Sequence, residues 1–593
     1  MQRDRATDLA RASGFGRRIN RRQFLAGAAG AGAGLMAGGV MGIGSSLVRA
    51  APFKGPDESA PWFERSIPEL GELMASGQLS SRELTQAYLR RIGRLNPMLG
   101  AVIETSPGAI GDAALRDAER RRGIVRGPLH GIPILLKDNI ATADRMQTTA
   151  GSLALVGTRV PADSPLVANL RAAGAVILGK TNLSEWANFR GFPPEDFPFA
   201  TNYLNGWSAR GGFTHDPYLL GFDPCGSSSG SGVAPAVNMC AAAVGTETDG
   251  SIVCPAGNNG IVGLKPTIGL IAQSGIIPIS HSQDSAGPMT RTVRDAAIML
   301  NVMRSPFGPV LGQPLPADYT AFLNPSLEGL TIGIERRQFL PEYFALEPIN
   351  AVVEQAITAM ADAGADIIDP VDTGDTFEWF DAEFLVLMHE FKGDIAAYLS
   401  GLRHTRRDTR MRTLADLIAF NQEHCEEEMK FFGQEIFELS QELSGDLNDA
   451  DYLAARNLCL QLTRTDGIDR VMAQHGLDAV LSPSYAFGSS APAAAGYPVM
   501  SVPVGVSPEG IPAGVWLYAG FLQEPELLHV GYAIEQLLSP REQPEFLGAV
   551  PADPPDAGLC DVATTPARSA RVKKARRHGP MHPATGRSVR RPH

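Results

Sequence analysis

The sequence predicts an α/β fold with a largely internal sheet. Strand-like and helix-like runs alternate along most of the chain, and several strand-like runs are apolar at consecutive positions, as strands covered on both faces are.

Taken in order, residues 62–123 read as helical. Ser80 and Glu83 form a capping box ahead of LTQAYLRRIGRL, and Pro97 is expected to end that helix. A second helix is expected from Ala113 to Arg122. GIPILLKDNI at 131–140 reads as a buried strand running into a turn, and LVANLRAAGA at 166–175 as an amphipathic helix before the strand VILGKT at 176–181. The alternation resumes with LTIGI at 330–334, a helix over about 349–363 and DIIDP at 366–370. Residues 375–470 are charged and helix-rich and read as a cap or insertion beside the sheet. DAVLSPS at 478–484 and YPVMSVPVG at 497–505 read as short strands, and ELLHVGYAIEQLL at 526–538 as a closing helix. No internal repeat is present.

The two ends differ from the body. Asn20-Arg21-Arg22-Gln23-Phe24-Leu25 has the form of a twin-arginine export motif. A Gly/Ala-rich run follows, with Val48-Arg49-Ala50 as a cleavage-like site. Residues 1–50 are therefore expected to be a signal segment, with the protein periplasmic or extracellular. A retained membrane anchor is the alternative, which the glycine content and weak apolarity of the run disfavour. Residues 551–593 are expected to be a tail; from Asp561 onward it holds nine Lys/Arg against one acidic residue and reads as solvated. The whole chain has net charge −12 while the two ends, 1–50 and 561–593, carry +6 and +8, which leaves −26 on residues 51–560. So acidic a body argues against nucleic acid as a partner.

The six cysteines form no CxxC pair and no zinc-like spacing with histidine. Cys225, Cys240 and Cys254 sit among small residues and are expected to pack as small apolar groups.

Chemistry concentrates between Cys225 and Thr267, CGSSSGSGVAPAVNMCAAAVGTETDGSIVCPAGNNGIVGLKPT. A Gly/Ser-rich loop, a small-residue apolar segment and a second Gly/Ser turn ending at Ser251 would bring backbone N–H groups and serine hydroxyls together, a setting suited to acyl transfer. CGSSSGS, GTETDGSIVCPA and GIVGLKPT, with their spacing intact over more than 40 residues, resemble the signature of the amidase signature family of serine hydrolases. The resemblance extends over about 62–545 and implies one amidase domain within 51–550. The implied fold has a large central mixed sheet flanked by helices on both sides.

The resemblance implies a site built on a lysine and two serines in place of a histidine triad. Ser251 matches the nucleophile. Gly250 allows its turn unusual backbone angles, so that the N–H groups of Thr248, Asp249, Gly250 and Ser251 form the expected oxyanion hole. Ser227 matches the bridging serine, which in the family follows a cis peptide bond; Ser228, Ser229 and Ser231 are expected to support the loop. Lys137, at the end of the apolar run GIPILL, matches the base, and burial of its stem would lower its pKa toward neutrality. Lys265 in GLKPT and His130 are read as structural. The implied cycle passes a proton from Ser251 through Ser227 to Lys137, forms an acyl-enzyme, and requires no metal or organic cofactor.

Glu247, Asp249, Val253 and Cys254 depart from the broad family pattern. Together with NGWSARGG at 205–212 and GIIPISHSQDSAGPM at 275–289 they look like the peptide amidase branch, which removes the C-terminal carboxamide of peptides as ammonia. The alternatives are an amidase acting on aryl, acyl or amino-acid amides, a non-catalytic amidase-like protein, and an α/β-hydrolase esterase using Ser228 of GSSSG.

Overall fold

In the computed structural model of the chain, residues 57–192, 205–305, 312–339, 347–404 and 410–560 are described. The twin-arginine motif and the basic stretch beyond Asp561 lie outside them.

The architecture is α/β. One sheet of eleven strands runs through the molecule in the order β1-β4-β2-β5-β7-β6-β12-β13-β11-β8-β9. Its site-bearing part comprises β1 (Val102–Thr105), β2 (Pro133–Lys137), β4 (Val176–Thr181), β5 (Ala242–Glu247), β6 (Val262–Lys265) and β7 (Ser285–Thr290). The remainder is β8 (Thr331–Ile334), β9 (Asp366–Ile368), β11 (Ala479–Pro483), β12 (Val499–Val506) and β13 (Pro512–Tyr518). β3 (Thr158–Arg159) and β10 (Arg403–His404) pair separately. The sheet is mixed: β2 runs parallel to both β4 and β5, whereas β5 is antiparallel to β7. Helices flank it, and the strands β2, β4, β5, β6 and β7 are buried at every position; β2 and β4 read as apolar runs for that reason, whereas β5, β6 and β7 carry polar residues such as Thr246, Glu247, Lys265 and Ser285 into the interior.

The first long helix differs from expectation. It spans Ser81–Leu99 and passes through Pro97, ending only at Gly100 in the left-handed conformation (φ 57°). Its Ser80/Glu83 capping box is formed. Proline removes one N–H donor, and in the last turn that loss is small beside the burial of Leu95 and Leu99 on either side of it.

The cysteines also differ. Cys225 is bonded to Cys254, and Cys425 to Cys560; Cys240 and Cys459 remain free and buried. The bridges join residues 29 and 135 positions apart, Cys254 and Cys425 each standing in a short helix, so no local spacing announces them.

Between residues 380 and 460 lie the helices Phe380–Ser400, Leu414–Glu423, Cys425–Glu428, Glu435–Glu442 and Ala450–Leu460. Several of them share a second apolar cluster, in which Leu387, Phe391 and Phe437 pack with Leu183, Trp186, Phe189 and Ile279 of the body. A buried charge group joins the same parts. Arg190 pairs with Glu185 and lies 3.5 Å from Glu428, all three fully buried, while its guanidinium lies 4.0 Å from the ring of Phe432. Among the described residues no helix is long and apolar enough to cross a membrane.

Candidate active site

The register of the sheet sets the site. Leu136 of β2 lies opposite Val244 of β5, so Lys137 at the end of β2 comes alongside the end of β5. Its side chain is fully buried. The Nζ atom lies 2.8 Å from Ser227 Oγ, 3.0 Å from Thr246 Oγ1 and 3.1 Å from the carbonyl oxygen of Thr246. Burial pushes the Lys137 pKa down to about 7, against the carboxylates of Glu247 and Asp284, which favour the charged form. A neutral amine has two N–H groups and one lone pair. It can donate to the two Thr246 oxygens and turn its lone pair to the Ser227 hydroxyl, whereas the ammonium form donates to all three oxygens, so the contacts serve either protonation state.

Ser227 follows a cis Gly226–Ser227 peptide bond in the loop before the short helix Ser229–Ala236. That helix, SGSGVAPA, has only small residues on its first turns and is buried throughout, which lets the loop approach β5 closely. Ser228 Oγ donates to the Thr246 carbonyl at 3.0 Å, Ser229 Oγ to the Cys225 carbonyl, and Ser231 Oγ to the Val244 carbonyl at 3.1 Å. Among the described residues 205–228 no strand leads into Ser228, so the strand–elbow–helix of an α/β-hydrolase nucleophile is absent there.

Ser251 lies in the turn between β5 and the helix Val253–Asn258. Gly250 has φ +75°, a conformation that excludes most side chains. Beyond the turn, Glu247 accepts hydrogen bonds from the N–H groups of Ile252 and Val253, and Asp249 accepts from the hydroxyls of Ser489 and Ser490, each at 2.7 Å. Among the described residues, the N–H groups of Thr248, Asp249, Gly250 and Ser251 donate to no protein acceptor, so four donors are unspent at one turn. The two serine loops are joined by the Ser228 N–H to the Ser251 carbonyl at 3.1 Å and by the Cys225–Cys254 disulfide. The Ser227 hydroxyl is engaged by Lys137, and among the described residues it makes no hydrogen bond to the Ser251 hydroxyl.

The two residues read as structural sit apart from this chemistry. Lys265 is buried and donates to the Tyr497 carbonyl, facing Glu247 and Glu524. His130 lies 3.1 Å from the Arg116 carbonyl. Sequence reasoning missed Thr246, which holds Lys137, and Asn139, whose Nδ2 donates to Thr246 Oγ1 at 2.9 Å. It also missed Asp284, which accepts from Thr248 Oγ1 at 2.6 Å and from the N–H groups of Ile279 and Ser280. Thr246 and Asn139 stand two residues or fewer from the motif positions Glu247 and Lys137, but only the β2–β5 register shows that they meet.

Two cavities adjoin the turn. One is lined by Ser251, Asp249 and the apolar side chains of Phe189, Ile279, Phe380 and Phe384, with the Glu383 carboxyl set among them. Burial, assisted by the Asp249 carboxylate, pushes the Glu383 pKa up to about 8. The other, about 250 Å³, opens from Thr246 and Thr248 toward Asp394 and Tyr398.

The Amidase family model matches residues 83–528, and the chain belongs to that family. A probable amidase of Arabidopsis thaliana is 37% identical over 502 residues, covering 82% of this chain and 92% of its own length. A component of the glutamyl-tRNA(Gln) amidotransferase of Methylobacillus flagellatus is 34% identical over 510 residues, covering 80% of this chain and 97% of its own. Among solved structures, the native peptide amidase of Stenotrophomonas maltophilia superposes with a TM-score of 0.74 at 46% identity, covering 82% of this chain and 99% of its own. The chain is an amidase-family hydrolase acting on amides.

Proposed function

We propose that hydrolysis proceeds through an acyl-enzyme on Ser251, with Ser227 and Lys137 as the proton relay. The observation that carries this reading is the buried Lys137–Ser227 contact of 2.8 Å, set beside a turn that bears Ser251 and four unspent N–H groups. Neutral Lys137 takes the Ser227 proton as Ser227 takes that of Ser251. The Ser251 oxygen then bonds to the amide carbon, and the turn N–H groups hold the oxyanion. Ser227 passes a proton to the departing nitrogen as the C–N bond breaks. Water repeats the relay in reverse and releases the acid.

We further propose that the substrate is the C-terminal carboxamide of a peptide and the leaving group ammonia. The 46% identity to a peptide amidase supports this, as does an apolar cavity lined by Ser251 that suits the side chain of a terminal residue. The same machinery would serve aryl, acyl or amino-acid amides, and the experiment separates these. Purified protein is given a C-terminally amidated dipeptide, an aliphatic amide and an aryl acylamide, and ammonia or amine release is followed beside Ser251→Ala. Release selective for the dipeptide amide and lost in the variant is expected. Release from the other amides alone would overturn the substrate, and release surviving in Ser251→Ala would overturn the nucleophile.

Export by the twin-arginine route is likewise a proposal. It rests on residues 20–25, and the two disulfides suit an oxidising compartment.

A further inference from the structure

The 250 Å³ cavity beyond Thr248 has an unusual lining for a place meant to hold a neutral peptide. On one wall stand Asp394 and Tyr398, four residues apart on one face of the helix Phe380–Ser400, with Glu390 buried one turn before Asp394 and outside the lining. His281 faces them, and ligand-type atoms of His281, Glu390 and Asp394 all lie within 4.8 Å of one another. Asp394 uses Oδ2 to accept from the backbone N–H of His281 and to meet its Nδ1, each at 2.9 Å. Its Oδ1 accepts no hydrogen bond among the described residues. Glu390 is occupied by Ser280, Ser282 and Tyr452.

A separate observation comes from elsewhere on the lining. Asn139, only 3% exposed, lines it beside Thr246, and the Asn139 Oδ1 atom has no hydrogen-bond partner. The Tyr398 hydroxyl, on the same lining, has none either. An unpaired buried acceptor is costly, and what it lacks is a donor. The cavity therefore presents one unsatisfied acceptor, Asn139 Oδ1, an unpaired Tyr398 hydroxyl and the Asp394 carboxylate on a single lining, and it starts three residues from Ser251.

We propose that this cavity is a cation subsite, in which Asp394 receives a protonated amine of the substrate about one residue away from the scissile amide. The inference rests on the peptide amide reading above and narrows it. The preferred substrates are short peptide amides with a free N-terminal ammonium or a basic residue before the last. The cavity begins at Thr248 of the turn that bears Ser251, and one extended residue reaches about 3.5 Å, so the residue before the last is the one this cavity would receive. The chain N–H groups meet Asn139 Oδ1, and the ammonium meets Asp394. His281 holds the carboxylate in place through its backbone N–H, which makes it a positioning residue.

The test compares kcat/KM within matched pairs at pH 7, where an α-ammonium is largely retained. One pair is Ala-Phe-amide with a free or an acetylated N-terminus. The other is acetyl-Lys-Phe-amide against its norleucine counterpart. The wild-type protein is expected to favour the cationic member of at least one pair roughly tenfold, as a charge-assisted hydrogen bond gives. The pair that responds identifies whether the ammonium or the basic side chain is the ligand. Asp394→Asn is expected to bring that ratio close to one. A ratio is read within each protein, so a reduced amount of folded variant cancels. Ratios near one in the wild type, or a ratio that Asp394→Asn leaves intact, would overturn the subsite while the peptide amide reading stands. Turnover of simple amides with none of the four peptides would overturn both.

Discussion

Cys225 and Cys254 are bonded to each other, and the bridge stands two residues before Ser227 and three after Ser251. The loop of one serine and the turn of the other are thus held by a single covalent link as well as by the Ser228–Ser251 backbone hydrogen bond. Neither link depends on the length of chain between them, so the relay geometry is fixed locally.

This pairing sets a thiol count. Unfolded, unreduced protein is expected to yield two reactive thiols per chain, from Cys240 and Cys459, and six after reduction. Replacing Cys225 and Cys254 together by alanine is expected to lower stability by about 3 kcal/mol for a loop of this length. Urea unfolding checks the loss, and amide turnover should fall with it as the two loops loosen.

Lys137 sets the acid limb of the rate profile. Burial holds its pKa near 7, and only the neutral amine accepts a proton, so kcat/KM is expected to rise with pH through about 7 and to fall tenfold per pH unit well below it. Asp284 lies in the same window, pushed up to about 7 by burial. The two are separated with Asp284→Asn. The limb should persist in that variant, and its disappearance would move the assignment to Asp284. Lys137→Ala should remove turnover altogether.

The two serines act as one unit. Ser251→Ala and Ser227→Ala are each expected to cut kcat by at least about a thousandfold, and the double variant by scarcely more than the worse single one. Additive losses in a steady-state comparison of the three proteins would show that the serines work separately.

Arg190 holds two buried carboxylates. Glu185 is pushed well above its ordinary pKa by burial, and Arg190 opposes that push. Arg190→Met leaves Glu185 and Glu428 buried without their cation, and a loss of about 3–5 kcal/mol is expected in chemical denaturation. Glu185→Gln should cost less, because the remaining pair keeps its charge balance.

Much of this molecule is legible in its sequence, and the reasons differ by part. β2, β4, β8 and the helix Glu524–Leu538 announce themselves because an apolar run or an amphipathic run is a local signal. Lys137, Ser227 and Ser251 are legible through motif resemblance, since nothing in a lone Gly-Ser turn distinguishes it from a structural one. Thr246, Asn139 and Asp284 are not, because their roles arise from strand register and from a loop folding back onto β5. The disulfides escape a sequence reading for the same reason. The first long helix runs past its expected end because proline is a strong breaker on average, yet a last-turn proline costs little when its neighbours are buried.

The buried group of Glu185, Arg190 and Glu428 carries one further consequence. The helix Phe380–Ser400 forms a wall of both cavities beside Ser251, and this group, with the shared apolar cluster, anchors its surroundings to the body. Glu185 and Arg190 belong to the body and Glu428 to a short helix further along the chain, so parting the two would leave carboxylates buried without their cation. The wall is thus seated by its own apolar face and, next to it, by a charged rivet whose release is costly.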